Sequence, residues 1–375
     1  VNRTSFRKLL APSIAVLALS ISLTACGAGN ESDADTSGDS GSSETSGGLS
    51  GDLNGAGASS QEKAQGAWAT GFQGMNEGNV TVNYDPVGSG DGRTNFIEGG
   101  VSFAGSDSYL TDDEGELSGA KERCNGEDPI EVPAYVSPIA VAFNVEGVDA
   151  LNLDADTIAQ IFDGKITNWN DKAIAEQNPD AELPDLAITP VHRSDDSGTT
   201  KNFTDYLGKA SSSWSYEAED AFPVKGGEAA EGTSGVISAV SGGKGTIGYA
   251  DESQVGDLSV VSVKVGEEYV APSAEGAALV VESSPAAEGR ADVDMAVDID
   301  RTTTEAGAYP VVLLSYLIAC QTYEDQAEAD LVKGYLSYIV SDEGQQAAAE
   351  EAGSAPLSSS VAERAQGIVD AITAG

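Results

Sequence analysis

Basic residues are scarce in this 375-residue chain: 19 Lys and Arg stand against 61 Asp and Glu, a formal charge of −42 at pH 7. So acidic a protein repels nucleic acid and anionic membrane surfaces, and no nucleic-acid partner is expected. Histidine is scarcer still, with one residue, His192. Covalent catalysis by a serine needs an activating base, and His192 lies next to Arg193 on a strand pattern, so their side chains face opposite ways. It reads as a surface or packed residue. No His/Asp/Glu cluster has metal-ligand spacing, the many acids being scattered over solvated faces, so neither a metal nor a cofactor is expected. The one long apolar run near the N-terminus, residues 9–23, is too short and too poorly flanked for a stable membrane span. No internal repeat is evident.

What is there begins with that run. Arg3, Arg7 and Lys8 precede it, which makes residues 1–25 a secretory leader. Leu23-Thr24-Ala25-Cys26 then resembles the bacterial lipobox, whose cysteine is acylated and becomes the new N-terminus; the alternative is a soluble secreted protein cleaved nearby. Diacylation of Cys26 would anchor the chain stably on the outer face of the cell membrane. Residues 26–51 are nearly all Gly, Ser, Thr, Asp, Glu and Ala and read as a flexible tether. With Cys26 acylated, Cys124 and Cys320 remain as one disulfide or as two buried free thiols; export favours the disulfide.

The rest, about 320 residues, exceeds one typical domain and suggests two lobes. Leu53 to Ser60 is a glycine-rich turn leading into a helix whose face carries Ala64, Ala67, Trp68, Phe72 and Met75, with Ser59 and Glu62 as a capping box. Val80, Val82 and Tyr84 alternate as a strand, Gly88 to Gly92 turns into a helical run from Arg93 to Glu98, and Val101 and Phe103 begin a strand ending at Asp107. Pro133 to Val145 is an extended apolar segment able to cross between lobes, and a second crossing falls near 308–312, before the apolar strand 311–319. A second lobe would contain 158–162, a turn at 163–165 and 166–169; helices are expected over 236–240, 327–339, 343–350 and 360–372, and a strand over 245–249.

The most informative stretch is Arg193-Ser194-Asp195-Asp196-Ser197-Gly198-Thr199-Thr200. An alternating strand, 188–193, hands over at Ser197 to Thr199 to a helix with apolar residues at 203, 206 and 207. Helix N-termini present unpaired N–H groups and the positive end of the helix dipole, so a tetrahedral oxyanion can bind there without a cluster of lysines. The plainer reading makes Ser197 or Thr199 an ordinary N-cap.

With these segments in hand, residues 52–375 resemble the phosphate-binding lipoproteins of the bacterial phosphate ABC transporter. The likeness rests on Leu53 to Ser59, Gly88-Ser89-Gly90, Phe103 to Asp107, Ile161 to Trp169, Asn178-Pro179 before Leu183-Pro184, and Arg193 through Thr199. It implies an α/β fold of the type II periplasmic-binding-protein clamshell, two lobes joined by a two-crossing hinge. Lobe 1 would comprise 52–136 plus 310–375, and lobe 2 would comprise 137–309. It implies a monomer that takes inorganic phosphate to the permease subunits of an importer. Carried onto matching positions, the ligand groups are Ser59, the N–H of Ser60, the hydroxyl and N–H of Ser89, Asp107, Arg193, Ser197, the N–H of Gly198, and Thr199, with Asp195 holding Arg193. Three departures stand out. The family often has Phe-Pro at Ser60-Gln61, glycine at Asp196 and arginine at His192; Ser60 matters least if its contact is main-chain, and Asp196 puts a charge beside an anion site.

Asp107 is the discriminating member of that set. A carboxylate facing an anion is repulsive unless the anion donates a proton; phosphate near neutral pH keeps one and sulfate does not. Asp107 as a plain turn carboxylate is the structural alternative. The rival functions are a secreted phosphatase or esterase with Ser59 or Ser197 as nucleophile, and a surface adhesin or a binder of another oxyanion on the same fold.

Overall fold

The computed structural model describes residues 48–113 and 115–375; the leader, Cys26 and the tether up to residue 47 lie outside the described residues. An eleven-stranded sheet organises the chain. Its strands are β1 (Gly51–Gly57), β2 (Val80–Asp85), β3 (Phe103–Ser106), β4 (Ile130–Asn144), β5 (Ala150–Leu153), β6 (Thr189–Arg193), β7 (Glu228–Ala230), β8 (Thr246–Asp251), β9 (Ser259–Val265), β10 (Glu268–Val270) and β11 (Val312–Ala319). The order along the sheet is β2-β1-β3-β11-β4-β8-β6-β7, with β5, β9 and β10 branching from β4.

Strand β4 runs through both halves because its register changes partner midway. Ile130 to Pro138 pair antiparallel with β11, and Ile139 to Asn144 with β8. A proline cannot donate to a ladder, and in a central strand it needs a bulge. Pro133 sits where the β4–β11 register slips between Ser315 and Tyr316, and the carbonyl of the bulged Ala134 accepts Gln345 Nε2 at 2.9 Å instead. All but the last residue of β4 is buried, as a strand covered on both faces must be. At the change of partner, Ile139 N donates to Val311 O (2.7 Å) and Tyr309 Oη to Ile139 O (2.9 Å), so the outgoing and returning segments lie side by side. This is the two-lobed α/β clamshell expected from the sequence.

Parallel strands need crossovers, and helices supply them. Glu62–Met75 connects β1 to β2, Ser89–Ile97 connects β2 to β3, and Gly232–Gly242 connects β7 to β8. The first of these buries Ala64, Gln65, Trp68 and Phe72, whereas Met75 is 60% exposed. The expected apolar face is thus corrected: it turns past Met75, and a polar residue, Gln65, takes a place in it. Later helices, Gln326–Val340, Asp342–Ala352 and Ser359–Val369, lie close to their expected spans. Helices Glu116–Arg123 and Ala274–Ser283 and the small strands β5, β9 and β10 were not anticipated. Cys124 and Cys320 are joined with Cα atoms 5.2 Å apart, tying the end of helix Glu116–Arg123 to the end of β11. No helix among the described residues is long and apolar enough to cross a membrane.

Candidate functional site

The site forms where parallel strands end. The carboxyl ends of β1, β2, β3 and β6 lead into Ser59, Ser89, Asp107 and the 193–200 segment, and in open α/β sheets such ends face the ligand crevice. Alternation along β6 buries Val191 and Arg193 and leaves His192 half-exposed. The Arg193 main chain is fixed by Tyr249 Oη (3.2 Å), and its guanidinium by Asp195, which accepts from Nε at 2.7 Å and from Nη2. Gly232 N donates to the same carboxylate from another element (3.0 Å). Burial pushes the Asp195 carboxyl up, but the hydrogen bonds and charge of Arg193 outweigh it and hold it below the usual range. Gly88 makes this approach feasible: with φ at +106°, a Cβ there would lie 2.7 Å from Asp195 Oδ2.

Helix Gly198–Ala210 then starts at a capping Ser197, whose Oγ accepts from Thr200 N at 3.2 Å. The plain N-cap reading and the ligand reading are therefore compatible, because a capping hydroxyl spends a lone pair and keeps its proton to donate. Lys201 N bonds back to Ser197 O, which leaves Gly198 and Thr199 as the N–H groups of the first turn without an intrahelical partner. A Cβ on Gly198 would fall 2.7 Å from Ser89 Oγ and 2.8 Å from Asp107 Cβ. Only glycine lets the helix end come this close to the opposite strand ends.

On that opposite side Ser59, Ser60, Ser89 and Asp107 are all buried. Two expectations fail here. Ser59 and Glu62 form no capping box, since a 3-10 turn over Ser59–Gln61 starts the helix early and Ser59 Oγ pairs with Thr233, at 3.0 Å from Oγ1 and 3.1 Å from N. Nor is the Ser60 side chain idle: its hydroxyl donates to Asp107 Oδ1 at 2.6 Å. Ser315 Oγ donates to the same oxygen (2.7 Å) and Thr199 Oγ1 to Oδ2 (2.9 Å). Ser89 Oγ accepts from Asp107 N at 3.1 Å. Burial pushes the Asp107 carboxyl up, against the pull of those three hydroxyls and of the Arg193 charge. The turn-carboxylate reading of Asp107 fits this poorly, because its partners come from three separate segments. Asp196 is exposed, with its carbonyl accepting from Gly90 N (3.1 Å).

Several participants escaped the sequence. Ser315, the only hydroxyl in the apolar run 311–319 apart from Tyr316, was visible as an exception there. Thr233, Asn202 (Nδ2 to Asp107 O, 2.7 Å) and the ion pair of Arg93 with Asp220 join segments far apart in the chain, and no local pattern marks them. Gln254 adds a contact to Ser59 O at 2.9 Å.

Chemically, the pocket pairs a permanently charged guanidinium, a helix N-terminus and several hydroxyl donors with one buried acceptor, Asp107. That suits a protonated oxyanion better than either a bare cation or a nucleophilic attack. His192 does not serve as a base for Ser59 or Ser197: its ring lies against Phe222 with centroids 4.5 Å apart, and its nitrogens face Arg193 O (2.9 Å) and Gly226 O (3.1 Å). Among the described residues no group of three or more His, Cys, Asp and Glu could hold a metal ion.

The profile of the PBP superfamily domain matches residues 42–343. The chain is similar to phosphate-binding protein PstS2 of Mycobacterium bovis, at 32% identity over 94% of this chain and 95% of the relative. It is similar also to phosphate-binding protein PstS3 of the same organism, at 35% identity over 69% and 71%. Among solved structures, the periplasmic phosphate-binding protein PfluDING, determined with phosphate bound, superposes with a TM-score of 0.69 at 23% identity, covering 84% of this chain and 93% of that one. A phosphate-binding protein from Stenotrophomonas maltophilia gives 0.64 at 20% identity over 85% and 94%. At such identities the two structures speak for the fold.

Proposed function

The chain belongs to the phosphate-binding proteins of the PBP superfamily, and on that premise we propose that it binds inorganic phosphate outside the cytoplasm and delivers it to the permease of an ABC importer. One observation carries the reading. Three hydroxyls occupy three of the roughly four acceptor positions of the Asp107 carboxylate, leaving one on Oδ2 for a proton carried by the ligand. Phosphate supplies that proton.

Around it, Arg193 gives a planar charged donor, and Ser59, Ser89 and Ser197 give hydroxyls. The N–H groups of Ser60, Ser89, Gly198 and Thr199 complete the set. Such a site binds an anion through local dipoles and one buried cation, which reconciles it with the acidity of the chain. The Thr199 hydroxyl serves Asp107, so the ligand contact of Thr199 is its N–H. The lobes are residues 52–136 with 310–375, and 137–309, and the bonds of Ser59 with Thr233, Thr199 with Asp107 and Gly90 with Asp196 then latch one lobe to the other. Binding and closure become one event.

The same reading makes the protein a monomeric receptor and not an enzyme, anchored through acylated Cys26. Equilibrium dialysis of ligand-stripped protein with labelled phosphate tests it. One phosphate should be retained per chain, and released unchanged on dilution; no retention, or turnover of phosphate esters, would overturn it.

A further inference from the structure

Behind Asp107 lies a chain of buried polar side chains. Tyr335 Oη donates to Gln65 Oε1 (2.8 Å), Gln65 Nε2 to Gln61 Oε1 (2.7 Å), Gln61 Nε2 to Ser315 Oγ (2.5 Å), and Ser315 Oγ to Asp107 Oδ1 (2.7 Å). Each of these four residues is at most 2% exposed. Buried amides at this density need a reason, since a half-satisfied network is costly.

The direction of the chain is fixed by one backbone atom. Gln61 Nε2 also faces Tyr316 O at 3.3 Å, and a carbonyl only accepts. The Gln61 amide nitrogen must therefore point there, and its oxygen toward Gln65. Gln65 must in turn present its nitrogen to Gln61 and its oxygen to Tyr335. Ser315 receives an N–H from Gln61, so its own proton goes to Asp107. Two of the residues feeding the carboxylate, Ser60 and Gln61, stand where the family often has Phe-Pro, and neither of those side chains could donate.

Resting on the phosphate reading above, we propose that Tyr335, Gln65, Gln61 and Ser315 are positioning residues forming a one-way hydrogen-bond chain that keeps Asp107 an acceptor, and so sets how acidic the medium can become before the site admits sulfate. A donor aimed at a carboxylate favours its ionised form. Once protonated, Asp107 could donate to a sulfate oxygen and the refusal would end. The charged and titratable groups facing Asp107 from other elements are Arg193 on β6, which favours the ionised form, and Asp251 on β8 and Tyr84 on β2, whose interactions with it are those of neighbouring acids.

Sulfate does not titrate between pH 5 and 8, so its affinity reports the state of Asp107. Calorimetric titration of full-length, ligand-stripped protein with sulfate and with phosphate across that range is the test, made on the native chain, Ser315→Ala, Ser315→Thr and Gln61→Leu. In Ser315→Ala, sulfate should gain about tenfold relative to phosphate near pH 6, with the onset of its binding about one pH unit higher. Ser315→Thr, which keeps the hydroxyl, should restore the native profile. Gln61→Leu should shift it the same way by about threefold, and it stands in if Ser315→Ala fails to fold. Asp251→Asn as background removes the neighbouring titration. A phosphate-to-sulfate ratio unchanged at every pH in both Ser315→Ala and Gln61→Leu, with phosphate still bound, would overturn the relay alone. Absence of phosphate binding by the native chain would overturn the functional reading instead.

Discussion

The two walls of the site use opposite chemistry. The 193–200 wall is a source of positive potential, a guanidinium and a helix end. The wall built by Ser59, Ser60, Ser89 and Asp107 places a buried carboxylate where an anion is meant to sit. On the proposed reading, the first wall attracts any oxyanion and the second accepts only one that brings a proton. That reading lodges affinity and selectivity on different strands, so that each can be damaged without the other.

Removing Arg193 strikes the attracting wall hardest. Arg193→Ala leaves the half-buried Asp195 without its guanidinium partner, and phosphate affinity should fall by about 2–5 kcal/mol, roughly thirty- to several-thousand-fold, while circular dichroism stays native. Retained tight binding in calorimetry would erase the distinction between the walls. Gly198→Ala tests whether the walls must meet. Its Cβ would fall 2.7 Å from Ser89 Oγ, so closure should be obstructed and phosphate weakened by about 1–3 kcal/mol, with a reduced change in scattering radius on adding phosphate.

A smaller loss is expected from the discriminating wall. In Asp107→Asn phosphate should weaken by about 1–2 kcal/mol, while sulfate gains about tenfold or more relative to it in competition titrations. Asp251→Asn, smallest in its effect on binding, sharpens the comparison by separating burial from recognition. Burial raises the Asp251 carboxyl to about 7, although Ser253 and Tyr135 hydrogen-bond to it. Between an ordinary carboxylate pKa near ~4 and that value the folded chain holds the extra proton, so stability falls as pH rises through the window and the contribution is gone above it. Thermal melts of Asp251→Asn should show a gain on the order of 2 kcal/mol at pH 8 and almost none near pH 4.

The walls also differed in how far the sequence disclosed them. The attracting wall is contiguous, so strand alternation, an N-cap serine and a glycine made it readable from eight neighbouring residues. Positions 59, 89 and 107 on the other wall carried only turn chemistry, and the family resemblance was needed to group them. Their partners were less legible still. Gln65 lay on a helical face read as apolar, Gln61 passed as a departure, and Thr233 and Asn202 gave no local sign because their contacts span roughly a hundred residues or more. Ser315 alone left a trace, a small hydroxyl in an apolar strand. Periodicity found the long elements, β4, β11 and the C-terminal helices, because burial on a regular face fixes their pattern. Short strands such as β5 and β10 have too few residues to show one.

On the proposed reading, Asp107 turns a general oxyanion trap into a phosphate site. The most direct test of that role is a side-by-side titration of native and Asp107→Asn protein, stripped of ligand, with phosphate and sulfate near neutral pH. Tight phosphate binding with sulfate refused by the native chain, and sulfate admitted once the carboxylate is gone, is the predicted outcome. Sulfate binding equally well to both proteins would contradict it.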